Sequence, residues 1–234
     1  MDNLQINGTI IPSDWQDLFD WFGMQGTSPK KVKNYLTAAK GADIVMDINS
    51  PGGSVYPGLE IYSILKDYPG NVTARVMSIA ASAASMIMCG GDHVLISPVA
   101  QVMIHNCSCD GAGNYLDHEK LAAELKKLDQ ACVQTYTIKT GKSEKEMLAL
   151  MADTTFFNAP DAVKIGLADE VIDLEKEPTA LKAVASMETG FMSPKMLEAL
   201  TKMMHEEQQQ AQRNNKELEL EKGYLDYFEI KGGK

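Results

Sequence analysis

The chain is poor in several residue types, and each shortage excludes something. It has 4 cysteines in 234 residues, too few and too scattered for the disulfide framework of a small secreted domain. Cys89, Cys107, Cys109 and Cys132 therefore read as reduced thiols of a cytoplasmic protein. Basic residues are outnumbered: 22 Lys and Arg face 32 Asp and Glu, a formal net charge of −10. That balance disfavours nucleic acid or an anionic membrane as main partner. Every long apolar run is broken by Ser, Gly or charge before it reaches the length of a membrane span. Residues 1–20 lack a basic start followed by an apolar core, so no secretory signal is expected. Histidine is scarce, with 4 in the chain, and no Cys/His spacing matches a four-ligand zinc site. His105-Asn106-Cys107-Ser108-Cys109 has one C-x-C and one nearby His, so no metal is expected. Asp110-Gly111-Ala112-Gly113-Asn114 is too glycine-poor to cradle phosphate, and no other nucleotide motif or cofactor site is present.

What the chain does have is apolar residues, 44% of the total, enough for a sizeable core. They fall into a β-turn-α rhythm. Leu4–Ile10 reads as an edge strand. Ser13 opens a helix with Trp15, Leu18, Phe19 and Phe22 on one face, and Ser28-Pro29 opens a second. Ile44–Ile48 is a buried strand, turned at Pro51-Gly52-Gly53 into a helix over Gly58–Leu65. Val72–Met77 alternates as a strand, and a small-residue helix follows over Ala80–Met88. Two short strands flank Pro98. Leu116–Thr140 is a long amphipathic helix whose stripe is Leu121, Leu125, Leu128, Cys132 and Tyr136. Ser143-Glu144-Lys145-Glu146 reads as a capping box. Asn158-Ala159-Pro160 caps a further helix that Gly166 closes, and Leu167–Ile172 is a last strand. The rhythm predicts an α/β fold with parallel strands and crossover helices.

The composition changes after Asp173. Glu175–Pro178 reads as a linker. Beyond it lie an apolar helical pattern from Met196 to Met204 and long polar stretches. The expected division is a compact domain over 1–175 and a helical or partly disordered tail over 176–234.

Two short segments carry chemistry. Ser82 sits among small residues at the start of a helix, where free backbone N–H groups face developing negative charge. His105 ends the apolar run Val102-Met103-Ile104. A serine needs a base to become a useful nucleophile, and Gly52-Gly53 lets the main chain approach a ligand without a Cβ. A nucleophile, a base and backbone donors are the parts that acyl transfer needs. Tight helix packing explains Ser78 and Ser85, and an ordinary Pro-Gly turn is the plain alternative for Gly52-Gly53. His93, His118 and His205 lack any such frame.

Four motifs come in order: INSPGG at Ile48–Gly53, AAS at Ala80–Ser82, MIH at Met103–His105 and FFNAPDAVKIGLADEV at Phe156–Val171. In combination they resemble the Clp peptidase family of serine proteases, most closely its short phage-type branch, the head-maturation proteases. The resemblance runs from about Leu4 to Ile172. It implies a crotonase-like spiral of ββα units, Ser82 as nucleophile, His105 as base, and the N–H groups of Gly53 and Ala83 as oxyanion hole. It also implies an extended polypeptide substrate paired to the strand after the glycine turn, a capsid or scaffold protein if the chain is phage-encoded. Such a chain works in the host cytoplasm or the viral prohead. The long helix corresponds to the family's handle helix, so a homo-oligomeric ring of six or seven, stacked in pairs, is expected. An ATPase partner is the expectation for a cellular relative. The family's orienting carboxylate aligns with Thr154, which is not an acid. Asp153 is one residue upstream and is the first candidate; Thr154 itself and Asp169 are the alternatives. Two other readings stay open. One is a crotonase-like acyl-CoA enzyme, which would need neither Ser82 nor His105. The other is a non-catalytic assembly protein that keeps the fold.

Overall fold

The computed structural model describes residues 3–174. The tail readings, including the Met196–Met204 helix, lie outside them. The strands are β1 (Leu4–Ile10), β2 (Gly26–Thr27), β3 (Ile44–Gly53), β4 (Val72–Ala81), β5 (His93–Ile96), β6 (Gln101–Ile104), β7 (Thr155–Asn158) and β8 (Glu170–Val171). The helices are α1 (Gln16–Trp21), α2 (Pro29–Ala39), α3 (Val55–Lys66), α4 (Ala83–Met88), α5 (Tyr115–Thr140), α6 (Glu144–Ala152) and α7 (Ala159–Ile165). The main sheet runs β2-β1-β3-β4-β5-β8, all pairs parallel. The α/β class and its parallel sheet are as the sequence rhythm implied. The central strands read as near-continuous apolar runs because both faces are covered: Met46, Ile48, Val72, Ala74 and Val76 are fully buried.

Strand β4 forks. Its first half, Thr73–Val76, pairs with β5, and its second half, Ile79–Ala81, pairs in parallel with β6. Strand β6 in turn pairs with β7 in antiparallel register, Ile104 opposite Thr155. The β6–β7 ribbon is what brings the segment around His105 next to the end of β4. The sequence reading ended β4 at Met77 and began the helix at Ala80. In the structure the strand continues to Ala81, because pairing with β6 outweighs the helix propensity of Ala80 and Ala81.

Local signals place most helix ends. Ser28 caps α2, accepting from the Lys31 N–H, and Pro29 takes its first position. Asn158 caps α7 by accepting from the Asp161 N–H, and Gly166 closes it at φ 90°. Ser143 caps α6, but Glu146 turns to Lys142 at 2.8 Å instead of completing a box. The full capping box belongs to α5, between Asn114 and Asp117.

The long helix buries its apolar stripe unevenly. Its predicted stripe is buried only in the C-terminal part, where Cys132, Val133 and Tyr136 enter the core. At the other end, Tyr115 and Leu116 are exposed. The first helix also differs: Gln16 is its buried residue, while Trp15, Leu18 and Trp21 face solvent. Among the described residues no helix is long and apolar enough to cross a membrane.

Candidate active site

Ser82 stands at the junction between β4 and α4. Its backbone has φ 54° and ψ −124°, outside the regions a side-chain-bearing residue normally occupies. Conformations of this kind cost about 1–3 kcal/mol and persist only where surrounding structure imposes them. Here the imposition is visible. The Ser82 N–H donates to the Met103 carbonyl at 2.9 Å, continuing the β4–β6 ladder past Ala81. The next residue already begins a helix, so the turn must be made within Ser82 itself. Although Ser82 is the N-cap residue of α4, its side chain makes no capping bond. The hydroxyl points elsewhere.

It points at His105. Nε2 of His105 lies 2.8 Å from Ser82 Oγ. Strand pairing accounts for the distance: Met103 lies opposite Ala81, and both chains leave their strands side by side. The glycine turn closes the third side. Gly52 has φ 94°, and a Cβ there would lie 2.6 Å from the Ala81 carbonyl oxygen and 2.7 Å from Ser82 Cβ. Only glycine lets β3 come this close to the β4–α4 junction. Gly53, Ser82, Ala83 and His105 line one small cavity of about 60 Å³, with Val55, Met86, Cys107, Ser108, Cys132 and Tyr136 completing its wall. A larger groove of about 530 Å³ runs past Leu150, Phe156 and Lys164, but neither serine nor histidine lines it.

The acidic candidates are placed differently. Asp153 caps the C-terminus of α6, and its N–H donates to the Ala149 carbonyl. Carried one step past Ile104–Thr155, the β6–β7 register sets His105 opposite Thr154, which adopts φ 52°. Asp153 is one residue further, and among the described residues no carboxylate bonds the His105 ring. Asp169 lies elsewhere. Its carboxylate accepts from the Val94 N–H at 2.7 Å and from Lys139 Nζ at 2.6 Å, with His93 Nδ1 at 3.5 Å. Burial pushes the Asp169 carboxyl upward in pKa, but Lys139 and the Val94 N–H outweigh it and hold the group below the usual Asp value. Asp169 is thus committed to joining β5, α5 and the α7–β8 turn.

Sequence reasoning missed the support behind Ser82. The Ser85 hydroxyl donates to the Ser82 carbonyl at 2.6 Å. Its one proton is thereby used, so at 2.7 Å the Tyr136 hydroxyl donates to Ser85 Oγ. Both side chains are buried, and burial holds the Tyr136 proton on, far above its usual range. The relay fixes the peptide unit that carries Ser82. Nothing local marks it, because the partners are 51 residues apart. Cys107 and Cys132 were read as plain thiols; they meet in the cavity wall with sulfurs 3.6 Å apart. Among the described residues no cluster of three or more His, Cys, Asp or Glu side chains could hold a metal ion.

Fold and site together define a parallel-sheet α/β protein with a strained serine, a histidine and a glycine turn converging on one cavity. The model of the family described as Clp protease matches residues 32–175, and the chain belongs to that family. It is 34% identical over 137 residues to the ATP-dependent Clp protease proteolytic subunit of Deinococcus radiodurans, covering 58% of this chain and 67% of that protein. It is 31% identical over 132 residues to the ATP-dependent Clp protease proteolytic subunit 3 of Rhodococcus jostii strain RHA1, covering 56% and 65%. The chain thus spans about two thirds of the length of these relatives.

Proposed function

We propose that this protein is a serine endopeptidase with Ser82 as nucleophile and His105 as general base. The observation that carries the reading is the 2.8 Å contact between Ser82 Oγ and His105 Nε2 at a backbone-strained serine. With the ring proton on Nδ1, Nε2 accepts the Ser82 proton as Oγ attacks a peptide carbonyl. The N–H groups of Gly53 and Ala83 are the proposed oxyanion donors; removal of one such donor typically costs about 3 kcal/mol of transition-state stabilisation. His105 then passes its proton to the leaving amine and an acyl-serine forms; water, deprotonated by His105 in turn, attacks the acyl carbonyl, and Ser82 Oγ leaves and regains its proton from His105. Asp153 is the proposed orienting carboxylate, reached by a shift of one residue along the α6–β7 turn. Without that shift Ser82 and His105 act as a dyad.

The proposed substrates are extended polypeptides, capsid or scaffold proteins of a phage prohead, cut by rings of this chain. The exposed Tyr115 and Leu116 at the start of α5 fit a role in ring pairing. The catalytic domain is proposed to end near residue 175, with 176–234 serving assembly or partner contact. A second reading, a cellular peptidase fed by an ATPase, is favoured by the names of both relatives. A fluorophosphonate probe tests the chemistry directly: it should label Ser82 in the wild type and fail in Ser82→Ala. Absence of labelling in every oligomeric state would refute the peptidase. Sedimentation should give a multiple of the 25.6 kDa chain; full activity in a monomer would refute the ring. Cleavage of a scaffold protein without any nucleotide would favour the prohead role over the ATPase-fed one.

A further inference from the structure

The wall of the Ser82 cavity contains two sulfurs that the proposed hydrolysis does not use. Cys107 lies two residues beyond His105. Cys132 is on α5, one turn before Tyr136. Their Sγ atoms are 3.6 Å apart, and both line the cavity with Ser82 and His105. The approach is built rather than incidental. The Cys107 N–H donates to Asp129 Oδ1 at 2.6 Å, and Asp129 is buried on α5 one turn before Cys132. This bond pins the Cys107 backbone to the helix and holds the two sulfurs face to face. A disulfide requires a further approach of about 1.5 Å, to a sulfur separation of about 2.05 Å. The other two thiols are set apart from this pair. Cys89 is fully buried, and burial pushes its thiol up to about 12. Cys109 is exposed.

We propose that Cys107 and Cys132 are a peroxide-sensitive thiol pair, and that their disulfide slows turnover by pulling the His105 segment onto α5. The first half stands on the thiol geometry alone; the second rests on the peptidase reading. The thiolate of one cysteine attacks one oxygen of hydrogen peroxide and the O–O bond breaks, leaving a sulfenic acid on that sulfur and hydroxide. The sulfur of the other cysteine, 3.6 Å away in the reduced pair, then displaces the sulfenic oxygen as hydroxide, forming the S–S bond. The two thiol protons complete two water molecules, so two thiols and one peroxide give one disulfide and two waters. A dithiol reductant reverses the change.

The consequence for catalysis follows from what each cysteine is attached to. Cys107 shares a short segment with the base. Cys132 shares a helix with Tyr136, whose hydroxyl relay through Ser85 holds the Ser82 peptide. Drawing the sulfurs together by about 1.5 Å strains the placement of base against nucleophile, and a misplacement of about 1 Å can cost two orders of magnitude in rate.

The test uses the full chain treated with hydrogen peroxide, quenched by alkylation and digested without reductant. A cross-linked peptide joining Cys107 to Cys132 is expected, two hydrogens lighter than the reduced pair. Fluorophosphonate labelling of the oxidised protein should be at least about tenfold slower than of the reduced protein, and dithiothreitol should restore it. Cys107→Ser and Cys132→Ser should each abolish the peroxide response, while Cys109→Ser should keep it. No Cys107–Cys132 cross-link, or cross-links only through Cys109, would overturn the proposal, and the wild-type map decides this even where a variant fails to fold. A mapped disulfide with unchanged labelling rate would overturn the second half. If the reduced wild type does not label at all, the peptidase reading fails, and the thiol pair is still judged by the map.

Discussion

Glycine at position 82 should melt higher than alanine at position 82, although both variants remove the proposed nucleophile. The prediction follows from φ 54° and ψ −124° at Ser82. Ser82→Ala and Ser82→Gly both lose the hydroxyl and its bond to His105, a net loss of about 1 kcal/mol, so that contribution cancels between them. What differs is the backbone. A residue with a Cβ at positive φ carries about 1–2 kcal/mol of strain that glycine does not. Against this, glycine gains freedom in the unfolded chain, worth about 0.4–1 kcal/mol. The balance favours glycine by about 0.5–1 kcal/mol. For a domain of this size each kcal/mol moves Tm by about 2–4 °C, so Ser82→Gly should melt roughly 1–4 °C above Ser82→Ala. The assay is thermal unfolding by circular dichroism at one protein concentration, because self-association would otherwise shift Tm. Should Ser82→Gly melt at or below Ser82→Ala, Ser82 is not held in a strained turn, and the strand-to-helix junction described above is wrong.

Four further outcomes are expected from the same geometry. Gly52→Ala places a Cβ 2.6 Å from the Ala81 oxygen and 3.0 Å from the Ala83 nitrogen; both are backbone, so the nucleophile junction must shift and probe labelling should fall more than about tenfold. Gly23→Ala, also at positive φ but with nothing within 4 Å, should lose about 1 kcal/mol of stability and keep its labelling. Asp169 has a folded pKa held below its unfolded value, so its contribution to stability is present above the ordinary Asp range and disappears as pH falls through the folded value. Urea midpoints of wild type and Asp169→Asn should therefore differ at neutral pH and converge in strong acid; a constant gap would refute the ion-pair account. For the orienting group, Asp153→Asn and Thr154→Ala are compared in one peptide assay. A loss of several orders of magnitude confined to Asp153→Asn would establish the triad, equal activity would establish a dyad, and a large loss in Asp169→Asn instead would contradict the placement of that carboxylate.

Much of the site was readable because its parts are short and local. A glycine turn after an apolar strand, a serine among alanines and a histidine closing an apolar run each declare themselves within a few residues. Their order along the chain pointed to the family, and with it to Gly53, Ser82, Ala83 and His105 lining one cavity. Strand and helix order was legible for the same reason: burial on both faces writes Ile44–Ile48 as an apolar run, and Ser28-Pro29 and Asn158-Ala159-Pro160 are caps with their own chemistry.

The remainder depended on partners far away in the chain. Whether Ala80 and Ala81 are strand or helix was settled by β6, which arrives about twenty residues later. Which residue faces His105 depends on antiparallel pairing of β6 with β7, where a one-residue difference in register exchanges Thr154 for Asp153. The stripe on α5 shows periodicity but not which end finds a partner, so the buried Tyr136 and the exposed Tyr115 look alike in sequence. The Tyr136–Ser85–Ser82 relay and the Cys107–Cys132 contact join residues 51 and 25 positions apart. Local sequence sets propensity, caps and turn chemistry, because those act over one turn or one strand. Register, pairing and side-chain relays are tertiary, because their energy comes from groups that only folding brings within hydrogen-bond reach.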